Sequence, residues 1–294
     1  MSESTHVHPL SAQDTRWLLR EVEAVLRTRG HTWTLVDGRA FQLTDGPIMG
    51  LDNLARRLHL TPRRAWRRLV QEQVTTLLSG FDPRAAIRAE DLRVRLLDPA
   101  TMPDLEYEPL RPLPGLHGVL SAQGPGLTAL FGKLDTVEVE RDDAYVRALE
   151  NLAALPLPQH VRRRLDPDLP GSWVDVLRAD DSFGASRVMV LPEVLRRTLR
   201  REIPPSGVLV AVPHKFEMWL HFPVDNSVLD VSVEMAFEAL CAWAEEPFPL
   251  SPHVYLVSPD MHAEVLVAAD AEGASLDHRR LRQLIRSLPP SAAA

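Results

Sequence analysis

A chain of 294 residues, 45% apolar and 25% charged, is long enough to bury a core without covalent staples, as two domains or as one with an N-terminal extension. Its formal net charge of −7 argues against a nucleic-acid binder that is basic throughout, and its single cysteine, Cys241, leaves no intrachain disulfide and favours a reducing compartment. The start, Met1 to Thr5, has no basic region followed by an apolar run, and no stretch approaches the roughly 20 apolar residues of a membrane span, so a bacterial-type cytoplasmic protein away from membranes is expected.

Residues 1–13 are polar and are expected to form a disordered tail. From Asp14 to Arg29, Trp17, Leu18, Val22, Val25 and Leu26 recur at helical spacing, and Gly30 closes the helix. His31–Val36 and Ala40–Leu43 flank Asp37-Gly38, a hairpin signal. Gly50–His59 and Pro62–Ser79 predict two helices, the second capped by Thr61 with Pro62 in its first turn, and Gly80 ends it. Residues 14–80 thus read as a helical N-terminal region with a hairpin.

Residues 81–168 predict an α+β region. Strands are expected at Leu92–Leu97 and Leu116–Ser121, and a helix at Asp142–Leu155 that Pro156 and Pro158 stop. Between the strands, residues 99–114 hold Pro99, Pro103, Pro109, Pro112 and Pro114, which predicts an extended or surface-wrapping segment. His160–Asp168 reads as a charged linker and domain boundary.

Residues 169–290 predict a C-terminal α+β domain. Trp173–Leu177 and Arg187–Leu191 read as strands and Glu193–Arg201 as a helix. Val208–Val212 and Glu217–Phe222 form a hairpin around Pro213-His214-Lys215, followed by a helix at Val228–Glu245. His253–Val257 and Glu264–Ala268 form a second hairpin, followed by a helix at Leu276–Leu288. Two hairpin-then-helix units imply an α+β class with a four-stranded antiparallel sheet and helices on one face. Trp17, Trp33, Trp66, Trp173, Trp219 and Trp243 all fall on regular elements, so most are expected in the core.

No catalytic constellation is expected. Gly126–Lys133 (GLTALFGK) misses the P-loop pattern: its glycine spacing is one residue too long and Leu134 stands where the hydroxyl should be. There is no strained serine elbow and no H-E-x-x-H. The near pairs His6/His8, His214/His221 and His253/His262 lack the i,i+4 spacing that would set two metal ligands on one helix face. Neither a metal nor a cofactor is implied. Cys241, beside Phe237, Leu240 and Ala244, reads as a buried structural thiol. Among adjacent carboxylates (Asp142-Asp143, Asp180-Asp181, Glu245-Glu246), Asp180-Asp181-Ser182 stands out, with a turn-forming role before a catalytic one.

One segment, residues 51–79, resembles a helix-turn-helix. Arg63, Arg64, Arg67 and Arg68 would project from its second helix toward DNA. Against that, His59 occupies the usual turn-glycine position, and Trp66, Leu69, Val70 and Leu77 make an apolar stripe that leaves the arginines as an ordinary solvated face. Lys133 and Lys215 are the only lysines, so arginine abundance reflects a high-GC coding bias.

The runs Gly50–Ala55 (GLDNLA), Pro62–Trp66 (PRRAW), Leu92–Leu96 (LRVRL), Ala148–Leu152 (ALENL) and Val208–Pro213 (VLVAVP) resemble the YtpQ-like group of bacterial proteins over residues 30–270. The resemblance implies no catalytic site. The leading expectation is a non-enzymatic protein acting on an unidentified protein partner; residues 99–114 and the Val208–Phe222 hairpin are candidate surfaces, but they read first as a surface wrap and a central sheet hairpin. A DNA-binding regulator using residues 51–79 is the alternative. A site assembled from Asp180, Asp181, His214 and His221 is a further one.

Overall fold

The structure, a computed structural model, describes residues 10–36, 38, 40–44, 48–79, 88–102, 104–124, 127–130, 141–168 and 171–288. It is mixed α+β with antiparallel sheets, and it divides into two units.

The first unit holds residues up to 85, with 124–129 and 245–247. Helix α1 (Ala12–Thr28) begins at Ser11, whose hydroxyl accepts the Asp14 N–H at 3.1 Å. Strands β1 (Trp33–Val36), β2 (Ala40–Leu43) and β3 (Ile48–Gly50) form a sheet in that order, so the expected two-stranded hairpin gains a third strand where a helix start was expected. Gly38 takes φ 66° in the β1–β2 turn, a conformation cheap only for glycine. Helix α2 (Asp52–His59) and helix α3 (Trp66–Ser79) follow, with a 3₁₀ turn at Arg63–Ala65 between them. Thr61 does not cap that turn; its hydroxyl donates back to the Arg57 carbonyl. Leu18, Val22, Leu26, Phe41, Leu58, Val70 and Val74 are the heart of this unit's core.

The second unit holds residues 86–123, 130–244 and 248–294. Strands β4 (Leu92–Leu97), β5 (Leu110–Leu113) and β6 (Leu116–Gly124) pair antiparallel in the order β4-β6-β5. The described Pro-rich segment is mostly exposed but tied down at points: a 3₁₀ turn at Pro99–Thr101 is capped by Asp98, and Tyr107 and Leu113 are buried. Leu127–Leu130, all but its last residue assigned to the first unit, forms β7; the rest of the Gly126–Lys133 near-miss lies outside the described residues. Helix α4 (Arg141–Ala153) buries Ala144, Ala148 and Leu152.

Strands β8 (Gln159–Arg164), β9 (Trp173–Arg178), β10 (Val208–Ala211), β11 (Glu217–His221), β12 (Val254–Val257), β13 (Ala263–Asp270) and β14 (Gly273–Leu276) make a seven-stranded antiparallel sheet, ordered β14-β13-β12-β10-β11-β9-β8. The four expected strands are its centre. The expected linker at 160–168 is mostly β8, paired with β9 from Gln159↔Arg178 to Arg164↔Trp173, because exposed charged side chains are compatible with an edge strand.

Helices α6 (Val228–Glu245) and α7 (His278–Ser287) cover one face through Met235, Ala236, Ala239, Leu281 and Leu284. The other face is not open. It is covered by a 3₁₀ run at Ala185–Val190, helix α5 (Leu191–Val194) and a π turn at Leu195–Leu199, together with Leu96, Leu113 and Leu116 of the small sheet. The strand expected at Arg187–Leu191 is thus helical, since its apolar residues Val188 and Leu191 pack down onto the sheet from above. Tyr255 joins this layer, its hydroxyl bonded to Ser251 (2.7 Å) and donating to the Pro114 carbonyl (3.2 Å). Among the described residues no helix is long and apolar enough to cross a membrane.

Candidate functional site

Arg63 and Arg64 lie in the 3₁₀ turn before α3, and Arg67 and Arg68 in the first turn of α3. Arg63 pairs with Asp14 of α1 and lies over the Trp66 ring at 3.9 Å. Arg67 grips Glu21 of α1 with two bonds, at 3.1 and 2.9 Å, and Arg68 meets Glu72 at 2.6 Å. Arg64 has no ion pair among the described residues. The Arg63 side-chain bond holds Asp14 below the usual carboxylate range. At the α2–α3 junction the chain turns without a left-handed residue, Leu60 ending α2 at φ −82°. Three of the four cations are therefore already engaged by carboxylates that phosphate would have to displace.

A second cluster forms where the β10–β11 turn meets residues 181–185. Gly184 is required there: a Cβ would stand 2.1 Å from the Phe216 carbonyl oxygen. Asp181 accepts the Phe183 N–H at 2.8 Å and holds Arg187 at 2.9 and 2.7 Å. Burial raises the Asp181 carboxyl, but the bonds and charge of Arg187 outweigh it and leave the group below its ordinary value. Lys215, buried, sets Nζ 3.4 Å from the Ser182 hydroxyl and 3.3 Å from the Phe248 ring centre. Phe248 adopts φ 61° to do so, a conformation costing a non-glycine residue about 1–2 kcal/mol. His214 approaches Glu217 at 3.7 Å, and Glu217 accepts the Trp219 Nε1 proton at 2.8 Å.

This cluster contains a hydroxyl next to a lysine, but its chemistry is wrong for a nucleophile. An activating base must offer a free amine, whereas aromatic faces attract the ammonium cation. Asp181 is committed to Arg187. His221 lies at the other end of β11, with Nδ1 2.9 Å from the Trp173 carbonyl and its pKa lowered by burial. Asp180, Asp181, His214 and His221 therefore do not share one site. No group of three or more metal-capable side chains occurs among the described residues.

The remaining feature is one the sequence reading turned inside out. On α6 the residues packed on the sheet are Val228, Val231, Met235, Ala236 and Ala239. Cys241, expected inside, is exposed. It continues a row at i+4 spacing formed by Leu229, Val233 and Phe237, which are 37, 41 and 58% exposed. Val224, just before the helix, is 62% exposed. Beside this row runs a second one, Asp230, Glu234 and Glu238, with Glu245 beyond, and α6 carries no lysine, arginine or histidine. Glu238 is reached by Arg163 of β8 at 3.1 Å; Asp230, Glu234 and Glu245 have no cationic partner among the described residues. Burial, then the charges of Asp166 and Glu238, raise the Glu234 carboxyl above its usual range. By contrast the Val208–Phe222 hairpin, a candidate partner surface that read first as a central sheet hairpin, lies within the sheet: Val208, Leu209, Val210 and Ala211 are 0% exposed.

The chain matches no protein family, no curated protein and no solved structure.

Proposed function

We propose that this chain works by binding a partner protein, with the solvent face of α6 as the docking surface. The observation that carries the reading is the row Leu229, Val233 and Phe237, exposed on a helix whose opposite side is fully packed. Single exposed apolar residues are ordinary; a contiguous row spanning three turns is the signature of an interaction site. The acidic row beside it favours a partner presenting apolar residues flanked by lysine or arginine, such as an amphipathic helix. One helix face makes a small interface, so a reversible association is expected. A single cysteine fits a cytoplasmic setting. The DNA-binding alternative through Arg63, Arg64, Arg67 and Arg68 has less support, because three of those side chains are held by carboxylates.

Cys241 gives the test. As the only cysteine, it accepts a photo-crosslinker at one point on the proposed surface. Crosslinking in extracts of the source cell is expected to produce a discrete adduct that Val233→Asp and Phe237→Asp abolish in folded protein. Adducts indifferent to both substitutions would reject α6 as the docking face.

A further inference from the structure

Two arginines of the second unit, Arg187 and Arg95, differ in their countercharge. Arg187 is 2% exposed and has its countercharge in Asp181. Arg95, in the middle of β4, has none: it forms no ion pair or hydrogen bond among the described residues, and its Nε is buried without a partner. The register of the small sheet places other donors around it. Arg93↔Ser121, Arg95↔Val119 and Leu97↔His117 are cross-strand pairs, so Arg93, Arg95 and His117 share one face, Arg95 and His117 as diagonal neighbours within side-chain reach. Arg93 Nε and His117 Nδ1 are likewise buried without partners. Arg93 spends Nη1 on the Glu90 and Leu92 carbonyls, which orients its guanidinium and leaves Nε over. Three orphaned ring or guanidinium nitrogens on one face of a three-strand pairing is an unusual concentration, because each unmet buried polar group carries a desolvation cost.

We infer that this face of the β4–β6 pair is a binding site for a small oxyanion, a phosphate or carboxylate group, held by Arg95 with Arg93 and His117 beside it. Guanidinium is the side chain best matched to such groups, through paired N–H donors in a fixed plane. An anion would supply the missing countercharge and accept the orphaned donors together. Arg95 is half-buried rather than sealed, which leaves a path for a ligand. Burial with no neighbouring carboxylate lowers the Arg95 pKa to about 10, in keeping with a cation whose partner comes from outside the chain. The inference is independent of the α6 surface.

The experiment is thermal unfolding of the full chain at pH 7.5, with sodium phosphate or sodium acetate titrated in at constant ionic strength. The wild-type protein is expected to gain Tm with phosphate and to saturate, as mass action at one site requires. Arg95→Met, which replaces an uncompensated charge by a side chain of similar shape, is expected to melt higher than wild type without phosphate, and to show no saturable gain. Arg95→Lys keeps the charge without the planar fork and is expected to bind phosphate about tenfold more weakly; it decides the matter should Arg95→Met not fold. Saturation with acetate but not phosphate assigns the site to carboxylates. If wild type, Arg95→Met and Arg95→Lys respond alike, the effect is bulk salt and the site does not exist. If Arg95→Met melts lower and wild type ignores both anions, Arg95 serves only to pack its stem, and the inference is wrong.

Discussion

Helices α6 and α7 lie on the same face of the same sheet, and they finish their outer surfaces in opposite ways. α7 buries Leu281 and Leu284 and turns Arg279, Arg282 and Arg286 to solvent, the pattern of a helix whose far side meets water. α6 buries an equally apolar stripe and then presents a second one, with carboxylates along one border and no cation of its own. Packing against the sheet explains the whole of α7. It explains only half of α6, and the remaining half is the surface proposed above for a partner.

The comparison is sharpened first on the inner faces, where the two helices should behave alike. Met235→Ala in α6 and Leu284→Ala in α7 each empty a fully packed position, so each is expected to cost about 2–5 kcal/mol in denaturant unfolding. A negligible effect for Met235→Ala would mean that α6 is not seated on the sheet through that side.

Acid should separate the helices next. Asp225 leads into α6, accepting the Ser227 N–H at 2.8 Å, and its charge acts on the buried His221, whose Nε2 has no hydrogen-bond partner among the described residues. Burial lowers the His221 pKa below 6.5. The unfolded chain thus takes up a proton first, and this contribution to stability, complete above pH 6.5, is lost as pH falls through the folded value. His253, also lowered by burial, adds in the same sense. The α7 cap behaves differently. Asp277 accepts the Arg279 and Arg280 N–H groups at 3.0 Å, and the Arg280 backbone bond, foremost among its causes, lowers it below 3.8. Its contribution is complete above about pH 3.8 and is lost only as pH falls from there through the lower folded value. Hydrogen exchange is expected to show protection around α6 weakening as pH falls below 6.5 while the first turn of α7 holds; simultaneous loss in both would break the distinction.

The smallest expected effect is on the outer faces. Val233→Ala is expected to change stability by no more than about 0.5 kcal/mol, as is Arg282→Ala in α7, although only the first belongs to a proposed binding surface. Cys241 should react with a thiol reagent in the native protein as fast as in denaturant, within a few fold. A thiol protected in the folded state would place that side of α6 in the interior after all.

The sequence made α6 easy to find and its orientation hard to read. Its ends coincide with the apolar run Val228–Glu245, but apolar residues occur all round the helix, so periodicity cannot say which stripe the sheet takes. Phe237 and Cys241 were as apolar as Met235 and Ala239, and the expectation chose the wrong pair. α7, with one stripe, left no such choice. The same limit applies to charge. Arg63, Arg67 and Arg68 were legible as a basic helix face, but two of their partners, Asp14 and Glu21, lie on α1, more than forty residues earlier in the chain. Most of the six tryptophans were expected in the core, but only Trp66 and Trp219 are buried; Trp173 is 42% exposed, because β9 lies next to the edge strand and the Arg162 guanidinium lies 5.4 Å from its ring.

Local pattern alone determined the mixed α+β class, the central hairpins and the two long C-terminal helices, because period-2 and period-3.6 burial are written into neighbouring residues. The tertiary structure decided the width of the sheet, which face of α6 is inside, and that Arg187 has a countercharge while Arg95 has none among the described residues. Those outcomes depend on groups far apart in the chain arriving at the same place, and spacing along one segment carries no record of what will be opposite it.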